Sequence, residues 1–193
     1  MKANKADKQM LAYIGAKPGS VKRDSDSWFT PSYYIELSRQ VMGTIDLDPF
    51  SSSTANEVVN ASRFFDIKQN AFKQKWFKKP GTVFMNPPYG RDLIKPSIEV
   101  FVKHLLENSI SEAIVLVNNA TETKWFQLLL KHTSSACFVS KRISFDSPDG
   151  KNVSGNTRGQ VFFYFGPNTK LFEQTFSEVG IVMHHQIPKD HIK

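Results

Sequence analysis

The chain has 193 residues, of which 40% are hydrophobic and 22% are charged, and it contains a single cysteine, Cys137. This length and composition fit one folded domain and exclude a disordered chain, while a lone cysteine excludes an internal disulfide framework and a cysteine-based zinc cluster. The net charge of +7 is concentrated in residues 1–30, with six basic and three acidic residues, and in residues 63–80, with six and one, which indicates either a polyanionic partner such as nucleic acid or a solvated lysine-rich surface.

The amino-terminal segment differs in composition from the rest of the chain. Residues 1–27 are polar and aperiodic, which predicts a flexible basic tail before a single domain over 28–193. No apolar run approaches the ~18 residues of a membrane span, and the first twenty residues lack the apolar core of a signal peptide. We therefore expect a cytoplasmic protein.

The first predicted elements are a helix and a short strand. Thr30 can cap a helix that has Pro31 at its first position and that Gly43 closes, which predicts a helix over 31–42. The sequence next predicts a short strand over 44–48, which Pro49 ends, and a serine-rich turn over 51–54.

The remaining predicted elements alternate between strand and helix. A wholly apolar run at 113–117 is typical of a strand buried on both faces of a parallel sheet. Two strands over 143–145 and 161–165 flank a loop, which predicts a late antiparallel hairpin. The pattern predicts an α/β fold whose sheet is mostly parallel and ends in this carboxyl-terminal hairpin. The other elements are a strand over 81–86, a helix over 96–108, a helix around 125–129 and a strand around 138–139.

The tetrapeptide Asn86-Pro87-Pro88-Tyr89 directly follows the predicted strand that begins at Gly81. Ligands of open α/β sheets bind beyond the carboxyl ends of strands, and two prolines there make a rigid loop. The Asn86 side-chain oxygen and the Pro87 carbonyl can accept both hydrogens of a planar amine, while the Tyr89 ring stacks on the attached base. The loop therefore suits methylation of an exocyclic amine. The structural alternative is a strand terminator beside an incidental aromatic residue.

Three short segments combine aromatic residues with proline: Trp28-Phe29-Thr30-Pro31, Asp46-Leu47-Asp48-Pro49-Phe50 and Phe84-Met85-Asn86-Pro87-Pro88-Tyr89. With Arg142-Ile143-Ser144-Phe145, they resemble the phage-type DNA N-6-adenine methyltransferases, the Dam-like family, over about 28–166. The resemblance implies a compact Rossmann-like sheet, S-adenosylmethionine as methyl donor, and double-stranded DNA as substrate. It also implies a phage or prophage protein of a bacterial cell, used in restriction-modification or in marking DNA. By this likeness the catalytic residues are Asn86, Pro87, Pro88 and Tyr89, and the cofactor contacts are Trp28, Thr30, Pro31, Asp48, Pro49 and Phe50.

The chain departs from the family pattern in two places. Residues 51–53 are serines where most methyltransferases have glycines, and Asn70 stands where relatives often have an aspartate near the cofactor adenine. A sulfonium cofactor has no pyrophosphate for the backbone to approach, so the glycines are dispensable, whereas Asn70 keeps an acceptor without the charge. Asp66, 18 residues after Asp48, is placed either to hold a ribose hydroxyl or as an ordinary surface aspartate.

Contacts with DNA must come from basic residues of the domain, because no segment is long enough for a separate recognition domain. Phosphate contact is the expected role, since positioning contacts outnumber base-reading ones. Trp76 either stacks on a base or belongs to the core with Phe72 and Phe77 at helical spacing. The predicted DNA contacts are Lys73, Lys75, Arg91, Arg142, Lys151 and Arg158, and Lys68, Lys78 and Lys79 lie in the same basic stretch as the first two.

These residues leave several functions open. An Asn-Pro-Pro-Tyr loop also occurs in methyltransferases of cytosine N4, RNA guanine N2 and protein glutamine, and a different class is a non-catalytic DNA-binding relative that kept the fold. Carbon-5 methylation of cytosine requires a cysteine nucleophile, whereas Cys137 lies in a predicted strand, so we expect it in the core. His184, His185 and His191 lack ligand pairs at zinc spacing, so no metal is expected. The sequence sets no oligomeric state.

Overall fold

The computed structural model describes residues 29–90, 92–146, 152–153 and 157–185, and the structural statements below concern these residues. The predicted tail, Trp28, Arg91 and Lys151 lie outside them, so their assigned roles stay predictions. The helices are α1 (Ser32–Met42), α2 (Ser53–Val59), α3 (Ile94–Leu106), α4 (Lys124–His132) and α5 (Thr169–Phe176), with a 3-10 turn at Ala71–Lys73. The strands are β1 (Leu47–Asp48), β2 (Arg63–Phe64), β3 (Gly81–Met85), β4 (Ile110–Asn118), β5 (Ser135–Val139), β6 (Phe145–Asp146), β7 (Asn152–Val153), β8 (Gln160–Phe165) and β9 (Gly180–His184).

Seven strands form one sheet in the order β2-β1-β3-β4-β8-β5-β9. The first four are mutually parallel. β8 runs antiparallel to both of its neighbours, β4 and β5, and β9 runs antiparallel to β5. The predicted α/β class is confirmed, with one parallel half and one antiparallel half.

The predicted hairpin between residues 143–145 and 161–165 is wrong. β8 inserts between β4 and β5 and pairs with both, while Phe145 pairs with Val153 in a separate two-stranded sheet of β6 and β7. Local alternation of apolar residues identifies a strand but not its distant partner. The sequence therefore indicated that both segments are extended, while their pairing depends on non-local contacts.

Helices cover both faces of the main sheet. On one face, which we call the α3 face, α3 and α4 pack their apolar side chains on the sheet, with Phe101 and Val83 in one buried cluster. On the opposite α1 face, the helices α1, α2 and α5 do the same, with Ile35, Phe176 and Phe84 in a second buried cluster. The sheet is thus the middle layer of three, and only its edges are available for a ligand.

Cys137 belongs to the cluster of the α1 face and has no exposed surface. Burial raises the pKa of its thiol to about 12, so the thiolate required of a nucleophile is scarce at neutral pH. The prediction that Cys137 is a core residue is confirmed.

The start of the first helix and the first strand differ from prediction. Pro31, not Thr30, precedes the first turn of α1, and no side chain caps that helix. The predicted strand 44–48 is reduced to β1. At its start the Thr82 N–H donates to the Asp46 carboxylate at 2.9 Å, so a side chain takes part in the pairing and the regular backbone ladder is shorter. Gly43 closes α1 as predicted, with φ +77° and its N–H on the Arg39 carbonyl at 2.7 Å.

The serine-rich turn predicted at 51–54 is in fact the start of a helix. The Ser52 hydroxyl accepts the Ala55 N–H at 3.1 Å and caps α2, the usual role of serine at that position. The sequence reading also missed β2, α5 and β9. Two of these are strands at the outer edges of the main sheet, and their short, partly exposed segments give a weak periodic signal.

Candidate functional site

Four polar residues lie at strand ends along one edge of the main sheet. Asp48 ends β1, Asn86 follows β3, Asn118 ends β4, and Gln160 begins β8 opposite Asn118. Since β1, β3 and β4 are parallel and β8 is antiparallel to them, all four residues belong to the same edge, which we call the carboxyl edge. Open α/β sheets bind their ligands at this edge.

Asp48 and Asn86 emerge on the same face of the sheet. Leu47 pairs with Val83, and both are buried in the cluster of the α3 face. Side chains alternate along a strand, so Asp48, one residue beyond Leu47, and Asn86, three beyond Val83, both point to the α1 face. Their offset along the strand direction is two residues, or roughly 7 Å.

The Asn86 side chain is held at one end only. Its Nδ2 donates to Thr30 Oγ1 at 3.2 Å, while its Oδ1 is buried and has no hydrogen-bond partner within the described residues. Thr30 is itself buried, and its neighbour Phe29 bridges to Asp146 through two backbone hydrogen bonds of 2.8 and 3.0 Å. The loop therefore presents an unused acceptor, Asn86 Oδ1, at the carboxyl edge.

Asp48 is a buried carboxyl without an ion-pair partner in the described part of the chain. Burial raises the pKa of Asp48 from 3.8 to about 7. Two neighbours lower the pKa in part: the Ser51 hydroxyl lies close by, and the Phe50 N–H donates to Oδ1 at 3.2 Å. Ser51 Oγ nevertheless has no partner at hydrogen-bond geometry within the described residues. A cation bound beside Asp48 would favour the ionised form and offset this cost.

The Tyr89 side chain joins the catalytic loop to β4. Its hydroxyl donates to the Leu116 carbonyl at 3.2 Å, its half-buried ring packs on the cluster of the α3 face, and burial raises the pKa of the hydroxyl, so it remains protonated. The ring orientation is therefore fixed by a hydrogen bond as well as by packing. Four prolines complete this part of the site: Pro49 and Pro87 are buried, and Pro31 and Pro88 are half-buried.

Tyr89→Phe should lower the free energy of unfolding by about 0.5–1.5 kcal/mol, the net worth of one hydrogen bond. The ring stays, but the Leu116 carbonyl loses its side-chain donor. Urea denaturation measures the change, with Tyr33→Phe as the matched control, because Tyr33 is 50% exposed and its hydroxyl bonds Glu178 at the surface. Equal effects of the two substitutions would show that the Tyr89 hydroxyl does not anchor the loop.

Asp66 and Asn70, the predicted contacts of the cofactor's ribose and adenine, each stabilise the loop that carries them. Asp66 Oδ1 accepts the N–H groups of Lys68 and Gln69 at 2.9 Å. Asn70 lies at φ +58° and its Oδ1 accepts the Phe72 N–H at 3.2 Å, a local bond for which asparagine is favoured. Their roles toward a cofactor stay predictions.

Phe50 and Trp76 pack in the wall behind this loop. The Phe50 ring lies 5.5 Å from that of Phe72 and 6.4 Å from that of Trp76, centroid to centroid. Trp76 has no exposed surface, its Nε1 donates to the Ala71 carbonyl at 3.1 Å, and its ring stacks on His104 at 4.6 Å. Trp76 is therefore a core residue, and the alternative that it stacks on a base is wrong.

Comparison with known proteins decides the family. A model of the family DNA N-6-adenine-methyltransferase (Dam) matches residues 18–188. The chain belongs to the Dam family. A relative from Escherichia phage T1, named DNA N-6-adenine-methyltransferase, is 28% identical in an alignment that covers 72% of this chain and 61% of the relative. The chain thus spans 61% of the length of that relative, and the family resemblance of its motifs is confirmed.

Two of the predicted DNA contacts of this Dam-family chain lie at the carboxyl edge. Arg142 and Arg158 are exposed, and both flank groups that bond Gln160. Its Oε1 accepts the Ile143 N–H at 2.9 Å, and its Nε2 donates to the Arg158 carbonyl at 2.7 Å. Gln160 therefore fixes the backbone that carries both arginines beside Asn118, whose Oδ1 it also contacts at 3.2 Å.

The basic stretch 63–80 crosses the molecule instead of forming one surface. Lys73 follows Phe72, whose ring packs near the carboxyl edge, whereas Lys78 and Lys79 precede Gly81 at the opposite end of β3. All the lysines of the stretch have exposed side chains: Lys68, Lys73, Lys75, Lys78 and Lys79. Lys73 is thus on the side of the carboxyl edge, and Lys75 lies between the two ends, before Trp76, whose ring stacks on His104 near the end of α3.

The sequence reading of this Dam-family site missed Asn118 and Gln160. Gln160 is 2% exposed and stands at the start of an otherwise apolar strand. A polar residue directly before a run of five apolar or aromatic residues, next to the motif-bearing edge, is the signal that points to it. Its partner Asn118 ends the apolar run of β4 in the same way.

Two of the histidines near the end of the chain, His184 and His185, have structural partners, while His191 lies outside the described residues. His184 contacts Ser135 Oγ at 2.7 Å and Glu173 Oε2 at 3.1 Å through its two ring nitrogens, and His185 Nδ1 lies 3.2 Å from the Thr133 carbonyl. In the part of the chain that the structure describes, no group of three or more His, Cys, Asp or Glu side chains could hold a metal ion. Within that same part, no helix is both long and apolar enough to cross a membrane.

Proposed function

We propose that this chain is an S-adenosylmethionine-dependent methyltransferase acting on the N6 amine of adenine in duplex DNA. The observation that carries the proposal is the buried Oδ1 of Asn86 at the carboxyl edge, which has no partner within the described residues, with the other end of the amide held by Thr30. Membership of the Dam family and the name of the phage T1 relative support the same substrate. We further propose a Rossmann-like methyltransferase domain over 28–193, preceded by the basic tail 1–27.

An exocyclic amine is a weak nucleophile, because its lone pair is delocalised into the ring. Asn86 Oδ1 and the Pro87 carbonyl would accept the two amine hydrogens and favour a pyramidal nitrogen, which turns the lone pair toward the methyl donor. The Tyr89 ring, fixed by its bond to Leu116, would support a base flipped out of the duplex. Asn86 and Pro87 directly follow β3, and Tyr89 lies in the same loop.

The residues around Asp48 fit a cationic cofactor. The Asp48 carboxyl is buried with a pKa raised to about 7, and the neighbouring Ser51 Oγ is buried without a partner within the described residues, so a ligand that carries an ammonium and a sulfonium would satisfy both. Pro49 and Phe50 follow Asp48 directly in the chain, and we propose Trp28, Thr30, Pro31, Asp66 and Asn70 as further contacts. When bound, S-adenosylmethionine supplies an electrophilic methyl group, and its transfer leaves a neutral thioether and releases one amine proton.

Two measurements separate this function from its competitors. Calorimetric titration with S-adenosylmethionine distinguishes the enzyme from a non-catalytic DNA-binding relative, which would show no binding at millimolar cofactor. Nucleoside mass spectrometry of DNA from a methylation-deficient host that expresses the chain should show N6-methyladenine. Methylated cytosine without methyladenine would reassign the activity to cytosine N4, and unmodified DNA would favour an RNA or protein amine. Carbon-5 chemistry is disfavoured by the buried Cys137.

We propose that DNA phosphates contact Lys73 and Lys75, together with Arg91, Arg142, Lys151 and Arg158. The double substitution Lys73→Ala/Lys75→Ala should shrink the slope of log affinity against log salt by about 0.9 for each replaced lysine that touches a phosphate. Fluorescence anisotropy over a salt series measures this slope. The matched control is Lys78→Ala/Lys79→Ala, which removes the same charge beside Gly81 at the opposite end of β3. An unchanged slope for the first pair, or an equal change for the control, would place the DNA elsewhere.

A further inference from the structure

We propose that Thr30 is a positioning residue that orients the Asn86 amide, and that its hydroxyl acts on the reaction through Asn86. The inference deepens the proposed methyl transfer and rests on it. It differs from the family likeness, which assigns Thr30 to the cofactor. The geometry that carries it is the bond from Asn86 Nδ2 to Thr30 Oγ1, 3.2 Å long, together with an Asn86 Oδ1 that no group in the described part of the chain contacts by a hydrogen bond.

An asparagine amide has two nearly equal ends with opposite hydrogen-bonding character. The NH2 end donates and the oxygen accepts, and the torsion that exchanges them is broad. The proposed substrate is an amine that also donates, so only the oxygen end of Asn86 is useful toward it. A hydroxyl can donate as well as accept, and in the structure Thr30 Oγ1 accepts from the NH2 end of Asn86, which leaves the oxygen end free for the proposed substrate.

The backbone of Thr30 is fixed on both sides by its neighbours in the chain. Phe29 is tied to Asp146 of β6 by two backbone hydrogen bonds, and Pro31, with φ −57°, leads directly into α1. Thr30 is 4% exposed, so its side chain has little freedom to turn away. Its hydroxyl does not cap α1, which leaves it available to Asn86.

The test uses three substitutions at Thr30 in the full-length protein. Thr30→Val keeps the shape and removes the hydroxyl, Thr30→Ala is a second variant without the hydroxyl, and Thr30→Ser restores it. With saturating cofactor and DNA, Thr30→Val and Thr30→Ala should lower the single-turnover rate about 3- to 30-fold, as expected for removal of one orienting bond. The Kd for S-adenosylmethionine should change by less than the rate does, and Thr30→Ser should recover most of the rate.

The rate of a double variant distinguishes an orienting role of Thr30 from a purely structural one. In an Asn86→Asp background both side-chain oxygens accept, so orientation no longer matters; Thr30→Val then removes only the bond that the hydroxyl donates to one oxygen, and should cost less additional rate than it does with Asn86. A full additional loss in that background would overturn the proposal. So would a raised cofactor Kd with an unchanged rate, which would make Thr30 a cofactor contact alone.

A readout independent of activity separates failure of this inference from failure of the proposed function. In the free protein, the side-chain amide protons of Asn86, assigned by their loss in Asn86→Asp, should shift in Thr30→Val and stay in place in Thr30→Ser. If the wild type methylates no DNA, the proposed function fails, and the amide spectrum still tests the bond. If the Asn86 amide is the same in wild type and Thr30→Val, the inference is overturned whatever the activity.

Discussion

Asn86→Ala should lower the turnover of methyl transfer by about 10²–10³-fold, the loss typical of one preorganised polar partner of the reacting group. The substitution removes the buried Oδ1, which has no other partner within the described residues. The amine therefore loses a hydrogen bond that becomes stronger as its nitrogen becomes pyramidal. Cofactor affinity should stay nearly unchanged, because Asp48 and Ser51 lie on β1 and after it, on a different strand. Single-turnover kinetics with saturating cofactor and DNA measure the effect.

The control for this substitution is Asn119→Ala. Asn119 is exposed beyond the end of β4, and its backbone N–H, which stays in the variant, donates to the Gly159 carbonyl at 2.8 Å. The control should retain turnover within about twofold. Full activity of Asn86→Ala would remove the tetrapeptide from the mechanism.

Asp48→Asn should stabilise the free protein at pH 8 while weakening S-adenosylmethionine. A rise of the Asp48 pKa from 3.8 to about 7 on folding corresponds to about 4 kcal/mol at roughly 1.4 kcal/mol per pH unit. The folded state binds the Asp48 proton more tightly than the unfolded state does, so protonation of Asp48 stabilises the folded protein. This stabilisation is fully present below about pH 4 and is lost as the pH rises to about 7. Asparagine does not titrate, so the free energy of unfolding of the variant should exceed that of the wild type most at pH 8 and little at pH 4.

Urea denaturation between pH 4 and 8 measures this difference, and calorimetry measures the cofactor. Loss of a charged hydrogen bond should weaken S-adenosylmethionine by about 1.5–3 kcal/mol, or roughly 10- to 150-fold. Asp92→Asn is the matched control, since Asp92 is exposed and should change neither quantity appreciably. A variant that is less stable than wild type at pH 8, or that binds cofactor equally well, would contradict the assignment of Asp48 as a buried anion held for a cationic ligand.

The sequence predicted those parts of the site that depend on local chemistry. Two prolines after an apolar strand placed the loop at Asn86, and an acidic strand end placed Asp48, both of which the structure brings to the carboxyl edge. Gly43 was predictable as the end of α1 for the same reason, since its φ of +77° is one that glycine adopts without strain. Such features follow from a few neighbouring residues.

The features that the sequence did not predict depend on residues far apart in the chain. Thr30 has the character of a helix cap, yet its hydroxyl serves Asn86, 56 positions away. Gln160 bonds both Asn118 and the backbone of Ile143, and the first of these contacts follows from the pairing of β8 with β4. No periodicity in a single sequence specifies such a pairing, so the hairpin prediction failed and the network around Gln160 was missed.

Methyl transfer to the N6 amine of adenine can be tested directly by incubating the purified protein with duplex DNA and S-adenosylmethionine that carries an isotopically labelled methyl group. Mass spectrometry of the nucleosides then shows which base carries the label. We expect labelled N6-methyladenine from the wild type, about 10²–10³-fold less in the same time from Asn86→Ala, and near wild-type amounts from Asn119→Ala. Label on cytosine alone, label absent from every base, or equal yields from wild type and Asn86→Ala would contradict this expectation.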